Sequence, residues 1–155
     1  MLVGLRLKNI ALIESLDLAF EEGLTVLTGE TGAGKSILLD ALDALFSGSS
    51  LNLVSKLLRS GANHAHIEAS FRLNDPLRAW LAQHDLESDD IDLVVSRDWR
   101  IKETRWISRS RINGLLVNKQ QIISLRPLLI DLTIQGESQN LSSSSHQLSS
   151  IDLYG

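Results

Sequence analysis

The sequence contains no cysteine among its 155 residues. This absence excludes a disulfide scaffold and thiolate metal sites, and it favours a reducing compartment. No apolar run approaches the roughly 18 residues that a membrane-spanning helix needs. The first residues alternate between apolar and polar types, which is unlike the basic and then apolar pattern of a signal peptide. We therefore expect a cytoplasmic protein with no membrane contact.

The chain also lacks an excess of basic residues. Its formal net charge is −4 at pH 7, so the global charge gives no reason to expect nucleic acid, and any such contact needs a local patch. Hydrophobic residues make up 43% of the chain and charged residues 22%, which is ordinary for a soluble globular protein. The length is that of one domain with a sizeable core.

The most informative stretch runs from Gly29 to Ser36 and reads GETGAGKS. It matches the G-x-x-x-x-G-K-S phosphate-binding loop of nucleotide triphosphatases without a mismatch. The short apolar run 24–28 before it predicts a buried strand, and the spacing of apolar residues in 36–45 predicts a helix. Strand, glycine-rich loop and helix is the arrangement that this motif needs.

The residue types of the motif explain its chemistry. Glycines let backbone N–H groups surround phosphate oxygens, and the start of the following helix adds the positive end of its dipole. Lys35 is predicted to reach the β- and γ-phosphates as a catalytic residue, and the Ser36 hydroxyl to bind Mg²⁺. The predicted ATP-binding residues are Gly29, Glu30, Thr31, Gly32, Ala33, Gly34, Lys35 and Ser36.

Apolar and polar residues alternate in several other segments, which predicts half-buried strands. Residues 2–8 and 12–20 are expected to form an antiparallel pair, and Asn74, Asp75 and Pro76 to begin a helix. The other predicted elements are a short helix 54–59, a strand 65–73, a hairpin 91–99 and 104–108, an Asn113-Gly114 turn, a helix 119–125 stopped at Pro127 and a buried strand 128–134. His64 and His66 share a strand and are expected to be exposed and structural.

A local basic cluster falls on the predicted hairpin. Six basic residues stand against Asp98 and Glu103 between positions 97 and 111, and Trp99 and Trp106 are interleaved with them. Such a hairpin could lie on DNA phosphates, with the tryptophans stacking on bases. The alternative is a solvated face with the tryptophans in the core. The six candidates are Arg97, Arg100, Lys102, Arg105, Arg109 and Arg111.

The segments LRLKNIALIESLDLAF and EEGLTVLTGETGAGKSILLDALDALF resemble the amino-terminal start of the RecN family, bacterial DNA repair proteins of the SMC-like, ABC-type ATPase superfamily. VSKLLRSG, HIEASF, SRING and IQGE follow in the family's order. The resemblance implies an α/β fold: the amino-terminal lobe of an ABC/SMC-type P-loop NTPase head, with a mixed β-sheet and an antiparallel β subdomain. It places this lobe at 1–137, with the serine-rich segment 138–155 leading toward a coiled coil.

The resemblance also implies function. ATP and Mg²⁺ would be the cofactors of a DNA double-strand-break repair and recombination ATPase associated with the nucleoid. Gln135 resembles the Q-loop residue that contacts Mg²⁺ and the attacking water, although Glu137 could take the metal instead. Lys8 and Asn9 fall where such heads place first-strand residues near the nucleotide.

Catalysis in such heads needs a second lobe that carries a signature motif and a catalytic Glu after an apolar strand. Neither motif occurs in this sequence. We expect this chain to bind ATP with little turnover, and the resemblance implies hydrolysis only with a complementary carboxyl-terminal lobe and a head–head homodimer. The alternative is a self-contained phosphotransferase in which 128–131 is a Walker B strand and Asp131 holds Mg²⁺. An inert interaction module is a third possibility, which the intact Lys35 and Ser36 argue against.

Overall fold

The structure is a computed structural model that describes residues 1–23, 33–47 and 55–130, with the backbone alone for 33–35. The predicted strand 24–28 lies outside these residues. Nine helices and strands fall in the described part of the chain: β1 (Leu2–Ile10), β2 (Ile13–Ala19), α1 (Ala33–Phe46), β3 (His64–Arg72), α2 (Asp75–Gln83), β4 (Asp92–Lys102), β5 (Arg105–Ile112), β6 (Leu115–Val117) and α3 (Lys119–Leu129).

The described strands form one six-stranded sheet in the order β2-β1-β3-β4-β5-β6, and every neighbouring pair is antiparallel. The predicted pairing of the first two strands is confirmed, with Leu5 opposite Leu18 and Leu7 opposite Leu16. Because β1 also pairs with β3, the chain between β2 and β3, which carries the GETGAGKS motif, starts and ends beside the same strand.

The sheet has one buried face and one polar face. Leu7 of β1, Ile67 of β3 and Val95 of β4 point to the buried face, as the alternation of the strands requires. Helix α1 contacts β1, β3 and β4, so it covers this buried face. The opposite face carries charged side chains, among them Arg6, Glu68 and Asp98.

Helix α2 begins as the sequence predicts. The Asn74 side chain accepts a hydrogen bond from the Leu77 backbone N–H at 3.0 Å, and Pro76 lies in the first turn. The Trp80 indole N–H donates to the Ser124 hydroxyl of α3 at 3.1 Å, while its ring stacks on His84 with centroids 4.0 Å apart. This hydrogen bond joins α2 to α3.

The hairpin of β4 and β5 is longer than predicted at both ends. The pairing extends from Val95 opposite Ile112 to Lys102 opposite Arg105. The Asn-Gly turn after β5 is confirmed, since Asn113 and Gly114 have φ of 49° and 83° and both values are typical of a two-residue hairpin turn.

The sequence-based prediction was wrong at the end of α3. This helix continues through Pro127 to Leu129, so Leu128 and Leu129 are helical and do not begin a strand. Pro127 has no N–H to bond to the Ile123 carbonyl, so the helix loses one hydrogen bond there. Leu125 and Leu129 are both buried on one face, and the Ile130 N–H still bonds to the Arg126 carbonyl at 3.0 Å. Packing of Leu129 in the core therefore extends the helix by one turn beyond the predicted end.

Within the described residues, no helix is both long and apolar enough to cross a membrane.

Candidate nucleotide-binding site

The second half of the GETGAGKS motif forms the first turn of α1. The helix begins at Ala33, so the backbone of Gly34 and Lys35 is helical, and Ser36 is exposed on the next position. Gly29, Glu30, Thr31 and Gly32 lie outside the described residues. The first N–H groups of a helix have no partner within it, and they carry the positive end of its dipole. The start of α1 is therefore suited to an anionic group, as the motif predicts.

The body of α1 is fixed against the sheet by buried apolar side chains. Ile37, Ala41 and Leu45 follow one another at helical spacing and are at most 8% exposed. The Phe46 ring packs edge-on against Phe71 of β3, with centroids 6.0 Å apart. Since interiors are packed as densely as crystals, this contact holds the direction of α1, and with it the direction of its first turn.

The carboxyl end of α1 is held by a buried cation. The Arg97 guanidinium on β4 donates to the carbonyl oxygens of Ala44 at 2.8 Å and Ser47 at 2.5 Å, and to the Ser108 hydroxyl at 3.1 Å. It also lies over the Trp99 ring, 5.0 Å from the centroid. These carbonyls belong to the helix end, which has unpaired acceptors and a negative partial charge. Burial lowers the pKa of Arg97 from its ordinary value, and the guanidinium stays charged at neutral pH.

This burial corrects the prediction that Arg97 contacts DNA. Arg97 is only 4% exposed and shares the core face with Val95 and Trp99, so it cannot reach a phosphate outside. Trp99 is 2% exposed, which also removes it as a base-stacking residue. The alternation of Val95, Arg97 and Trp99 along β4 was the signal that could have placed Arg97 inside. The carbonyl partners could not be read from the sequence, because they come from a distant segment.

An ion pair joins α3 to the same end of α1. The Arg126 guanidinium lies 2.8 Å from the Asp43 carboxylate. Both side chains are partly exposed, so the pair contributes only modestly to stability. Together with the Arg97 contacts it links the last turn of α1 to β4 and to α3.

The turn between β1 and β2 is held by the segment 57–59. The Asn9 side-chain amide donates to the His64 carbonyl at 3.0 Å, and the Asn9 carbonyl accepts from the Arg59 N–H at 3.0 Å. Asn9 and Ala11 have positive φ of 55° and 50°, a conformation that costs free energy in non-glycine residues. These hydrogen bonds fix the turn. The resemblance places Lys8 and Asn9 near the nucleotide, and that placement stays a prediction.

Four of the six predicted DNA-contacting residues are exposed on the polar face of the sheet: Arg100, Lys102, Arg105 and Arg109. Arg111 lies on the same face but is only partly exposed, and its guanidinium is 2.9 Å from the Asp98 carboxylate. The register of β4 and β5 places Lys102 opposite Arg105 at the tip of the hairpin, and Arg100 and then Arg109 follow toward its base, with Arg109 opposite Asp98.

Asp98 contacts three basic side chains on this face, further from the tip of the hairpin. Its carboxylate is 2.9 Å from His66 Nδ1 and 3.4 Å from His64 Nε2, as well as bonded to Arg111. Burial alone raises the pKa of Asp98, but His66, His64 and Arg111 outweigh that effect and hold the pKa below its usual value. These contacts support the predicted structural role of the two histidines, but the prediction that they are exposed was wrong, because the side chains of His64 and His66 are only 28% and 22% exposed. Within the part of the chain that the structure describes, no cluster of His, Asp and Glu could hold a metal ion.

Three predicted carboxyl-terminal candidates lie outside the described residues: Asp131, Gln135 and Glu137. The serine-rich segment 138–155 lies outside them as well. Their roles stay predictions from the sequence.

Comparison with known protein families gives a match over nearly the whole chain. The model of the AAA domain family matches residues 4–155. This match agrees with the position of the GETGAGKS motif at the start of α1.

Curated relatives named DNA repair protein RecN match the entire length of the chain. The protein from Synechocystis sp. is 43% identical over 100% of this chain and 26% of its own length. Those from Bacillus subtilis and Vibrio cholerae are 37% and 35% identical, each over 99% of this chain and 26% and 27% of their own lengths. The chain thus spans about a quarter of the length of these relatives.

Two solved structures of the recombination mediator protein RecF in the RecFOR pathway share the fold. RecF-ATPrS gives a TM-score of 0.60 at 18% identity, over 79% of this chain and 29% of that chain. RecF-ATP gives 0.63 at 16% identity, over 99% of this chain and 38% of that chain. The predicted fold class, the amino-terminal lobe of a P-loop ABC/SMC-type head, is confirmed. The chain belongs to the AAA domain family, and its resemblance to the amino-terminal portion of the RecN DNA repair proteins is confirmed along its whole length.

Proposed function

We propose that this chain is the ATP-binding amino-terminal lobe of a RecN-like ATPase that acts in DNA double-strand-break repair and recombination in the cytoplasm, at the nucleoid. The observation that carries the proposal is the start of α1: the residues that end GETGAGKS form the first turn of a helix whose body and far end are fixed by packing, by Arg97 and by Arg126. A fixed helix start keeps its N–H groups aimed at one phosphate position.

The residue roles follow the chemistry of the motif. The backbone N–H groups of residues 29–36 would surround the phosphates, Lys35 would contact the β- and γ-phosphates, and the Ser36 hydroxyl would bind Mg²⁺. Gln135 would contact the same metal and the attacking water. The related structures are of RecF-ATP and RecF-ATPrS, which supports ATP as the ligand of a chain with this fold.

Hydrolysis would require more than this lobe. The sequence has no signature motif and no apolar strand that ends in Asp-Glu, so the groups that activate water and stabilise the transferred phosphoryl group would come from a carboxyl-terminal lobe and a second head. Chemistry would then depend on head–head dimerisation, and the isolated lobe would bind ATP without turning it over.

The alternative of a self-contained phosphotransferase loses its main support. That function needs a Walker B strand over 128–131, but Leu128 and Leu129 belong to α3. No observation in the described residues favours this alternative.

Binding of a fluorescent ATP analogue in the presence of Mg²⁺, followed by anisotropy, tests the proposal. We expect the wild-type chain to bind, the Lys35→Ala variant to lose at least about tenfold in affinity because a charge on the phosphates is lost, and Lys119→Ala, an exposed lysine on α3, to bind normally.

Phosphate release measured in parallel should be near background for the chain alone and should rise when the complementary lobe is added. Equal binding by Lys35→Ala and wild type would overturn the assignment of the site. Rapid turnover with a small phosphoryl acceptor would favour the phosphotransferase instead.

A further inference from the structure

The outer end of the β4–β5 hairpin carries basic side chains that have no acidic partner. Within the described residues, none of Arg100, Lys102, Arg105 and Arg109 forms an ion pair with a carboxylate. Other arginines on the same face are neutralised: Arg6 pairs with Asp17 and Glu68, and Arg111 with Asp98. We call these four unpaired residues the hairpin-tip cations.

Their placement follows from the strand register. Lys102 lies opposite Arg105, Arg100 opposite Ile107, and Asp98 opposite Arg109, so all four cations are on one face of two adjacent strands. The distance along the strands from Asp98 to Lys102 is about 13 Å at the usual rise per residue. One strand of duplex DNA places a phosphate every 3.4 Å of helix axis or so. The four cations therefore span a length that holds about four phosphates of one DNA strand.

A groove of about 490 Å³ lies among these side chains, with Arg100, Lys102 and Arg109 in its wall. Ile107 lies on the same face, also lines the groove and is 39% exposed. Asp98 and its partner Arg111 complete the inner part of the wall. Apolar surface between cations suits the sugar rings that alternate with phosphates in a nucleic-acid backbone. Among the described residues, neither Asn nor Gln, which read adenine, lines the groove.

We propose that the hairpin-tip cations bind the sugar–phosphate backbone of DNA without sequence preference. This inference names a contact for the proposed repair ATPase and rests on that function. It differs from the sequence-based hypothesis in two ways: Arg97 is buried and Arg111 is neutralised, so neither contributes, and Trp99 does not stack on bases. Three of the four cations are arginines, whose planar guanidinium groups match phosphate oxygens in pairs.

The experiment measures the salt dependence of binding to a fluorescein-labelled 30-base-pair duplex between 50 and 200 mM NaCl. For duplex DNA the slope of log K against log salt falls by about 0.9 for each phosphate contact removed. We expect Arg105→Gln/Arg109→Gln, and separately Arg100→Gln/Lys102→Gln, each to reduce the slope by about 2. Affinity at 50 mM NaCl should fall about tenfold or more in both variants. An unrelated duplex sequence should give the same values.

The matched control is Lys56→Gln/Arg78→Gln, which removes two exposed positive charges on segments outside the hairpin and should leave the slope unchanged. The inference would be overturned if the slope stays unchanged in the hairpin variants, or if the control loses as much slope as they do. Absence of DNA binding by the wild-type chain would overturn it as well. So would polyglutamate competing as well as DNA at equal charge, since the partner would then be an acidic protein segment.

Binding of the fluorescent ATP analogue to the same variants separates the two proposals. If the hairpin variants bind both ATP and DNA as the wild type does, the proposed DNA contact is wrong and the nucleotide site is unaffected. Absence of ATP binding in the wild-type chain, with the expected DNA slopes, would leave the hairpin contact supported and defeat the nucleotide site.

Discussion

Arg97 of β4 donates a hydrogen bond from its guanidinium to the Ala44 carbonyl at the end of α1, over 2.8 Å, across 53 positions of sequence. The residue thus connects the middle of the sheet to the helix that begins with the phosphate-binding motif. Its neighbours in sequence, Asp98 and Arg100, point to the opposite face of the same sheet. One strand therefore positions the helix on one side and presents charge on the other.

Replacing Arg97 by Met should destabilise the fold. We expect the free energy of unfolding to fall by about 3 kcal/mol, because the buried carbonyls of Ala44 and Ser47 lose their charged donor. Urea denaturation measures this change. Arg100→Met on the same strand is the matched control, and it should stay within about 0.5 kcal/mol of wild type because Arg100 is exposed. Equal effects of the two substitutions would contradict the role of Arg97.

Asp98 should make stability depend on acidic pH. Its pKa is held below the usual value by His66, His64 and Arg111 against the opposing effect of burial. The stabilisation is therefore present above the unfolded-state pKa near 4, and it is lost as the pH falls toward the folded-state pKa. We expect Asp98→Asn to lower the free energy of unfolding by about 1–2 kcal/mol at pH 7, with the difference from wild type closing below about pH 4.

Urea denaturation at several pH values between 3 and 7 checks the Asp98 prediction. Asp89→Asn, an exposed carboxylate, should give the wild-type profile. A difference between Asp98→Asn and wild type that is constant over the whole range would show that the interaction is not one of charge.

The start of α3 should depend on its capping box. The Asn118 side chain accepts from the Gln121 backbone N–H at 2.9 Å, and the Gln121 side chain accepts from the Asn118 N–H at 2.9 Å. We expect Asn118→Ala to lower the free energy of unfolding by about 1 kcal/mol. Gln120→Ala, which changes an exposed residue in the same turn, is the control for thermal or urea denaturation. If Asn118→Ala and Gln120→Ala have the same stability, the capping box does not stabilise the helix.

The Asp43–Arg126 ion pair should contribute little, and its contribution should depend on salt. A double-mutant cycle with Asp43→Ala and Arg126→Ala should give a coupling energy of about 0.2–1 kcal/mol at low salt, because both side chains are partly exposed. In 1 M NaCl the coupling should shrink, since the screening length falls to about 3 Å. A coupling of several kcal/mol, or one insensitive to salt, would mean that the pair is more buried than its exposure indicates.

Local sequence signals predicted the elements that local chemistry controls. The start of α2 follows from Asn74 and Pro76, and the turn after β5 follows from Asn113 and Gly114, because each depends on the conformational preferences of a few adjacent residues. The position of α1 follows from the motif and the spacing of its apolar residues. The antiparallel pair β1 and β2 follows from alternation on both sides of a short bend.

Features that depend on distant contacts were missed. The extension of α3 beyond Pro127 depends on the burial of Leu129 in the core, and a proline alone predicts a stop. The role of Arg97 depends on carbonyls 50 and 53 positions away. The distinction between paired and unpaired cations depends on which acids the sheet register places opposite them. The capping box of Asn118 was a local signal that was present in the sequence and overlooked.

The three tryptophans occupy three different surroundings: Trp80 is stacked on His84 in α2, Trp99 is buried beneath the Arg97 guanidinium, and Trp106 is half-buried near the tip of the β4–β5 hairpin. Variants that keep one indole at a time would give a separate optical signal for each place. Emission from Trp80 would report on the contact between α2 and α3, emission from Trp99 on the end of α1, and emission from Trp106 on the core side of the hairpin. Intrinsic fluorescence can thus follow local opening at three separate places in one sample without an attached dye.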